Sequence, residues 1–204
     1  MKIAKILKEK WNIVANRIEA KENVDLNELE KELTQIVEKE LRGVAKQEFS
    51  RRVDEVGVAF ESVAVDQAAS RWAREYSYSL VRGIAARTRE VVASAMQQYV
   101  AGAGMTRRDL LDLLEPAFGE VRANAIATTE VTRAFSQGTN IYKDMMHDAG
   151  IEMERVWHTN HDELVCPICR PLNEKREKDW DAQFPNGPPA HVNCRCGTGL
   201  RVKK

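Results

Sequence analysis

"DELVCPICRPLN" (residues 162–173) and "PPAHVNCRCGTG" (residues 188–199) hold all four cysteines of this 204-residue chain. The spacing is Cys166-x2-Cys169, then 21 residues, then His191-x2-Cys194-x-Cys196. Thiolates and imidazoles are the usual zinc donors, four at a time around a tetrahedron. A two-residue spacer lets both side chains of a turn reach one ion. The loop between the pairs offers little regular structure and few apolar residues, so a metal clip would offset its closure entropy. Five candidates, Cys166, Cys169, His191, Cys194 and Cys196, compete for four places. Either all four cysteines bind, or three cysteines bind with the histidine. Both versions fill the coordination sphere, so the expected zinc is structural, because a catalytic ion keeps a place open for water. His158, His161 and Asp162, just before the first pair, are expected to orient ligands or cap turns rather than catalyse.

Outward from this segment the texture changes. "IEMERVWHT" and "TGLRVK" are the two strand candidates. Everything before Gly150 reads as helix. Ile3, Leu7, Trp11, Val14 and Ile18 form one helical stripe, expected to face a core rather than a membrane surface. Leu26, Leu29, Leu33, Ile36, Leu41 and Val44 form a second, with Asp25 as N-cap and Glu28 completing a capping box. Val53, Val56, Phe60 and Val63 suggest a third helix that Gly57 could interrupt. A long pattern follows from about Asp66 to Val100, stopped by "AGAG" at 101–104. Thr106 and Asp109 form a capping box for a short helix closed by Pro116 and Gly119. The last helix spans about Glu120 to His147, where His147 suits the C-terminal dipole. A short helix, a turn and a longer helix invite a DNA-reading motif, but the second helix is too long and its start carries few base-reading side chains.

The fold class is therefore mainly α: a multi-helix body, then a small α+β zinc-stabilised C-terminal module with a short antiparallel β element. Hydrophobic residues make up 43% of the chain, enough for a core, and basic and acidic residues balance at 31 each, so net charge names no partner. Only the C-terminal "RCGTGLRVKK" is one-signed. It is expected to be a solvated tail, with a phosphate contact as the sharper alternative. No segment reaches the ~18 apolar residues of a membrane span, and the N-terminus lacks the apolar run of a signal peptide. A reducing cytoplasm is thus expected, where clustered cysteines suggest metal before disulfide.

"RANAIATTEVTRAFSQGTN", "VWHTNHDELVCPICRPLN" and "FPNGPPAHVNCRC" together resemble the phage Mu protein F-like head morphogenesis family, the minor capsid proteins. The matching positions are Thr129 and Glu130; Trp157, Thr159 and Asp162; Cys166 and Cys169; and Pro189, His191, Cys194, Arg195 and Cys196. The similarity covers about residues 75 to 200. Thr128 stands where the family has arginine, and Val192 replaces a frequent proline. The family's use of histidine at the place of Cys169 favours Cys169 as a ligand.

The resemblance implies residues 1–104 as a helical N-terminal region and 105–204 as the head morphogenesis domain. It implies a non-enzymatic protein of the virion interior, made in the host bacterial cytoplasm. Its expected partners are the portal protein and other capsid or scaffold proteins during procapsid assembly, with effects on DNA packaging or ejection. Weak DNA contact is expected; a membrane or a small-molecule substrate is not. Glu130 is expected to bond across to the zinc module, or to pair with Arg133 or Arg122 on its own helix. The alternatives are a zinc-containing nuclease of the HNH type and a nucleic-acid-binding zinc module. The first needs a further helix after His191, for which little chain remains. The second needs a basic patch, which only the tail and the acid-interleaved "KREK" supply.

Overall fold

The computed structural model describes residues 2–102, 104–160 and 162–203, with no description of the Ile3 side chain. His161, Lys204, the Ala103 of "AGAG" and the Ile3 side chain of the first stripe thus lie outside the described residues. Among the described residues five helices precede two strands: α1 Ile3–Glu19, α2 Asn27–Val56, α3 Ser62–Ala101, α4 Arg107–Phe118, α5 Glu120–Asp148, β1 Met153–His158 and β2 Gly197–Val202. The strands pair antiparallel, with Met153 opposite Val202 and His158 opposite Gly197. Two short 3₁₀ turns, Arg170–Leu172 and Glu177–Asp179, interrupt the loop between them. The mainly helical class and the small antiparallel element agree with the sequence reading.

The chain divides into two compact units, Met1–Lys39 with Arg74–Ala127, and Glu40–Ala73 with Thr128–Lys204. In the first, α1 packs on α4. Leu7, Val14 and Ile18 of the α1 stripe are buried, as are Leu110, Leu114 and Phe118 of α4. Thr106 starts α4 as expected: its hydroxyl accepts from the Asp109 N–H, and the Asp109 carboxylate accepts from the Thr106 N–H at 2.7 Å. Pro116 does not end this helix. It lies inside the helix in its last turn, and Gly119 is the C-cap.

Asp25 departs from expectation. α2 begins at Asn27, and Asp25 accepts from the Asn27 N–H at 2.8 Å, one residue ahead of a capping position. Glu28 does not reach back to it but lies 3.7 Å from Lys10. The expected third helix is also absent as a separate element. Val53 and Val56 belong to α2, which continues through Gly43 to Val56. Gly57 then takes a left-handed φ of +84°, a conformation that costs glycine little, and residues 57–61 are loop.

The core of the second unit gathers Ala45 and Phe49 of α2, Val65 and Ala69 of α3, Ile141, Tyr142 and Met146 of α5, and Met153 of β1. Phe49, Phe60 and Tyr142 meet edge to face, with centroids 5.2–6.1 Å apart. The Tyr142 hydroxyl donates to the Val58 carbonyl at 3.0 Å, which anchors the loop after Gly57. Arg52 of α2 is buried. It pairs with Glu48 at 2.7 Å and Glu55 at 2.6 Å, and donates to Thr139 of α5 and the Thr198 carbonyl of β2. A buried guanidinium is tolerable only when its donors are so satisfied.

α2 and α5 come close together at Gly138, where an added Cβ would lie 2.4 Å from the Ala45 carbonyl oxygen and 2.8 Å from the Glu48 Cβ. Gly138→Ala is expected to destabilise the protein by about 1–3 kcal/mol through overpacking. Gly43→Ala, whose Cβ would meet nothing within 4 Å, should stabilise by up to ~1 kcal/mol. Chemical denaturation of both variants reads the contrast, and equal effects would remove the close-approach account.

Candidate metal centre

β1 delivers the chain to the first cysteine pair. Trp157, its penultimate residue, is fully buried. Its N–H donates to the Lys175 carbonyl and its carbonyl accepts from the Glu174 N–H, so the returning loop is paired to β1. Thr159 follows, its N–H and hydroxyl both donating to the Asn173 side-chain oxygen at 2.9 and 3.0 Å. Asp162 then accepts from the Leu164 N–H at 3.0 Å and caps the turn into the cysteines. The expectation for Asp162 as a turn-capping residue holds.

Cys166 and Cys169 form a tight knuckle. The Cys169 N–H points at the Cys166 sulfur at 3.3 Å, and the Arg170 N–H donates to the Cys166 carbonyl at 3.0 Å. His191 and Cys194 form a second turn of the same span, closed by the Cys194 N–H on the His191 carbonyl at 3.2 Å. Asn193 sits in it at φ +62°, a left-handed conformation that asparagine tolerates better than most residues. α5 holds this turn from below. Thr129 accepts from the Asn193 N–H at 2.9 Å, and the buried Thr132 donates to the Cys194 carbonyl at 2.6 Å. Arg195 clasps Asp162 with two bonds of 2.9 and 3.0 Å, tying the second turn to the first.

All five expected donors converge. Cys166, Cys169 and His191 place their ligand atoms within 4.8 Å of one another, and so do Cys169, Cys194 and Cys196, with Cys169 common to both groups. The His191 Nε2 lies 3.0 Å from the Cys166 sulfur and 3.3 Å from that of Cys169. Its Nδ1 lies 2.7 Å from the Val192 carbonyl. That oxygen can only accept, so in the neutral ring the proton sits on Nδ1 and the Nε2 lone pair faces the sulfurs, the arrangement of a metal-ligating histidine. The Cys169 and Cys194 sulfurs are 3.8 Å apart. A tetrahedron with zinc–sulfur bonds near 2.3 Å has an edge of about 3.8 Å. The donor set thus fits a soft-site divalent ion.

Charge is unevenly spread over this cluster. The Cys196 side chain, bonding to Cys194 and outweighing the cost of burial, holds the Cys194 thiol down at about 5. Burial, reinforced by the charge of Cys194, pushes Cys169 up to about 12. The Cys194 side chain and then burial raise Cys196 as well. Burial opposes ionisation of Cys166, but the Cys169 N–H and thiol, the Ile168 N–H and the charge of His191 together outweigh it and lower the thiol. The Val192 carbonyl raises His191, against burial. The Trp157 Nε1 is buried without a full hydrogen-bond partner among the described residues, and the group it acts on is the Cys196 thiol.

Other expected residues lie elsewhere. His158 is exposed and packs its ring over Gly199 of β2. His147, at the end of α5, lies 2.5 Å from Glu152. Glu130 is buried, and Arg133 lies 3.4 Å from it. The bonds from α5 to the cysteine turn come from Thr129 and Thr132, and Thr132 was not singled out by sequence.

One expectation is corrected. The loop is not poor in core: Trp157, Trp180 and Phe184 pack with ring centroids 5.3 and 5.5 Å apart against Cys169, Cys194 and Cys196. Sparse aromatics in the sequence hid how many of them the fold collects here. The C-terminal segment is solvent-exposed at Arg201, Val202 and Lys203, as expected, although Arg201 and Val202 belong to β2. Arg201 pairs with Glu154 of β1 at 2.6 Å, Lys203 lies 3.9 Å from Glu152, and Arg195 holds Asp162.

"KREK" is exposed apart from the half-buried Glu177, and Arg176 and Glu177 form a hub of ion pairs. Arg176 pairs with Glu154 at 2.5 Å. Glu177 accepts from the Arg155 guanidinium at 2.7 Å, the Arg155 N–H at 2.9 Å and Lys143 of α5 at 2.6 Å. Arg155 also donates to Asn140 and the Pro185 carbonyl and stacks over Trp180 at 4.8 Å.

The sequence profile of the family described as Phage Mu protein F like protein matches residues 92–198, more than half of the chain. The chain belongs to this family, which associates it with phage head morphogenesis and a virion or assembly context. No curated protein and no solved structure matches it. No helix among the described residues is long and apolar enough to cross a membrane.

Two outcomes follow from the hub and the α5 threonines. Burial would raise the Glu177 pKa, but Lys143 and Arg155 overcome it and bring the carboxyl from 4.5 to about 2. Its folded value lies below its unfolded one, so its stabilisation is present above pH ~4.5 and is lost as pH falls towards ~2. The difference is worth at most about 3 kcal/mol, and Glu177→Gln should remove this part of the pH dependence in denaturation curves. Thr132→Val leaves the buried Cys194 carbonyl unpaired and is expected to cost about 1–3 kcal/mol. Thr132→Ser should retain most of the stability, and equal losses for the two would argue against the hydroxyl.

Proposed function

We propose that this chain is a phage minor capsid protein that associates with the portal during procapsid assembly and affects DNA packaging or ejection. Its proposed site is the capsid interior, reached from the host bacterial cytoplasm. Residues 105–204 are proposed as the head morphogenesis domain and 1–104 as the helical region before it. The carrying observation is the family match over residues 92–198, which ends on the cysteine turns. We assign Cys166, Cys169, His191, Cys194 and Cys196 as the donor set of one structural zinc. Support comes from their convergence and from the bare Nε2 of His191.

A structural and interaction role suits the site better than turnover. Five protein donors for four places leave no position for a reacting water. Leu164, Ile168 and Val192 are exposed on the knuckle turns, which suits a surface that meets other proteins. A DNA-binding module is less favoured, because Arg195, Arg201, Lys203 and Arg176 each have an acidic partner.

Co-purification with the cognate portal protein, with zinc measured on the same sample, tests this reading. Stoichiometric zinc and a stable portal complex are expected. Stripping the metal with a chelator should lower the thermal stability of the protein and expose the four thiols to alkylation. A chelated protein with unchanged melting and no portal binding under any loading would sink the proposal. Magnesium-dependent DNA cleavage abolished by His191→Ala would replace it with the nuclease.

A further inference from the structure

Arg155 of β1 is buried, and its charge is matched by Glu177 at 2.7 Å. A guanidinium carries five N–H groups. The Nε–H donates to Glu177. The two Nη2 hydrogens go to Glu177 and the Pro185 carbonyl, and one Nη1 hydrogen goes to Asn140. The second Nη1 hydrogen has no acceptor among the described residues.

Ser136 of α5 is also buried, and its hydroxyl has no hydrogen-bond partner among the described residues. A helical serine or threonine can turn its hydroxyl onto the carbonyl four residues earlier. Thr34 and Thr88 do so in this protein, each at 2.8 Å. Ser136 does not, so its oxygen is left for another partner.

Gly187, in the loop before the second cysteine turn, marks where the two groups meet. It is buried and takes a left-handed φ of +76°. A Cβ added there would stand 3.5 Å from the Arg155 Nη1, 3.5 Å from the Thr198 Cγ2 and 3.8 Å from the Ser136 Oγ. All three are ordinary contact distances, so α5, β1, β2 and the loop enclose a cradle the size of one heavy atom. Two of its walls are polar groups short of a bond, and the third is the Thr198 methyl.

We infer that this cradle binds one ordered water, which accepts from the Nη1 of Arg155 and donates to the Ser136 oxygen. Two polar partners meet the lower requirement of a buried water. The ligand is neutral, because Glu177 already neutralises the guanidinium and an anion would lie buried beside that carboxylate. The bridge ties α5 and β1 together at the point where the loop passes Gly187 on its way to His191. It does not depend on the metal reading.

Crystallography of the full chain, at a resolution that orders solvent, tests this. A solvent peak is expected about 2.7–3.2 Å from both the Ser136 Oγ and the Arg155 Nη1, without the anomalous signal of chloride. Ser136→Ala gives an independent sign. If the hydroxyl holds the water, its loss should raise the unfolding constant about tenfold. A merely stranded hydroxyl would be relieved by the same change, and the constant would fall. Gly187→Ala puts a methyl in the cradle and should remove one long-lived water from oxygen-17 relaxation dispersion, a count that backbone strain at this residue leaves alone. A well-ordered wild-type crystal without the peak, a chloride signal, a direct bond between Ser136 and Arg155, or a stabilised Ser136→Ala would each overturn the inference. Should a variant fail to fold, the wild-type crystal decides by itself.

Discussion

Two hydroxyls on one helix face hold the turn on which the C-terminal module depends. Thr129 receives the Asn193 N–H and Thr132 gives its proton to the Cys194 carbonyl. The turn between His191 and Cys194 has a left-handed residue and, among the described residues, one backbone bond of its own, so without Thr132 the carbonyl of the buried Cys194 would lose its partner, at about 1–3 kcal/mol. The helix therefore does more than supply an apolar face. Its inner surface near the site is lined by Thr129, Thr132, Ser136 and Thr139 rather than by large aliphatics. Small hydroxyl side chains let loops lie close while offering them hydrogen bonds. The same logic places Gly138 where α2 comes close.

The second constraint is charge. Arg155 lies on β1 between Met153 and Trp157, and all three are buried. A guanidinium there must find carboxylates and carbonyls, and it takes Glu177, Asn140 and Pro185. These partners come from the loop and from α5, so satisfying one cation fixes the path of some thirty residues of irregular chain. Arg52 does the same between α2, α5 and β2. Irregular segments fold uniquely here because polar groups with few alternatives select one arrangement, a role attested for some buried networks.

Much of this was legible in the sequence. The α1 stripe, the Thr106 capping box, the span of α5, both strands and the convergence of the cysteines with His191 follow local rules of period and spacing. What was missed needs tertiary partners. Asp25 bonds to the Asn27 N–H rather than capping with Glu28, because α2 starts at Asn27, one residue later than a cap at Asp25 would set. Arg176 of "KREK" and Arg201 and Lys203 of the C-terminal segment look available in one dimension, but the fold sets both arginines against Glu154 and brings Lys203 near Glu152. One signal for Arg155 was present: alternation in a strand places it on the same side as Met153 and Trp157. The aromatic cluster had no such signal, since Trp157 of β1 is far in sequence from Trp180 and Phe184 and the irregular loop has no period to relate them.

The aromatic cluster and the cysteine turns divide the work of closing that loop. Trp157, Trp180 and Phe184 supply apolar burial beside β1, where the backbone of residues 174–175 is already paired. The cysteine turns pack against the same cluster through Cys169, Cys194, Val165 and Ala190, while Leu164 and Val192 at their tips point to solvent. Burial of the rings therefore backs the turns from one side and leaves their outer side open. A donor cluster there suits an ion that ties the two turns together, with Arg195 and Asp162 as the exposed strap beside it. Screened by water, that strap is worth little by itself. The turns are thus held by the rings behind them, the α5 threonines that bond the second turn, and the donor cluster between them.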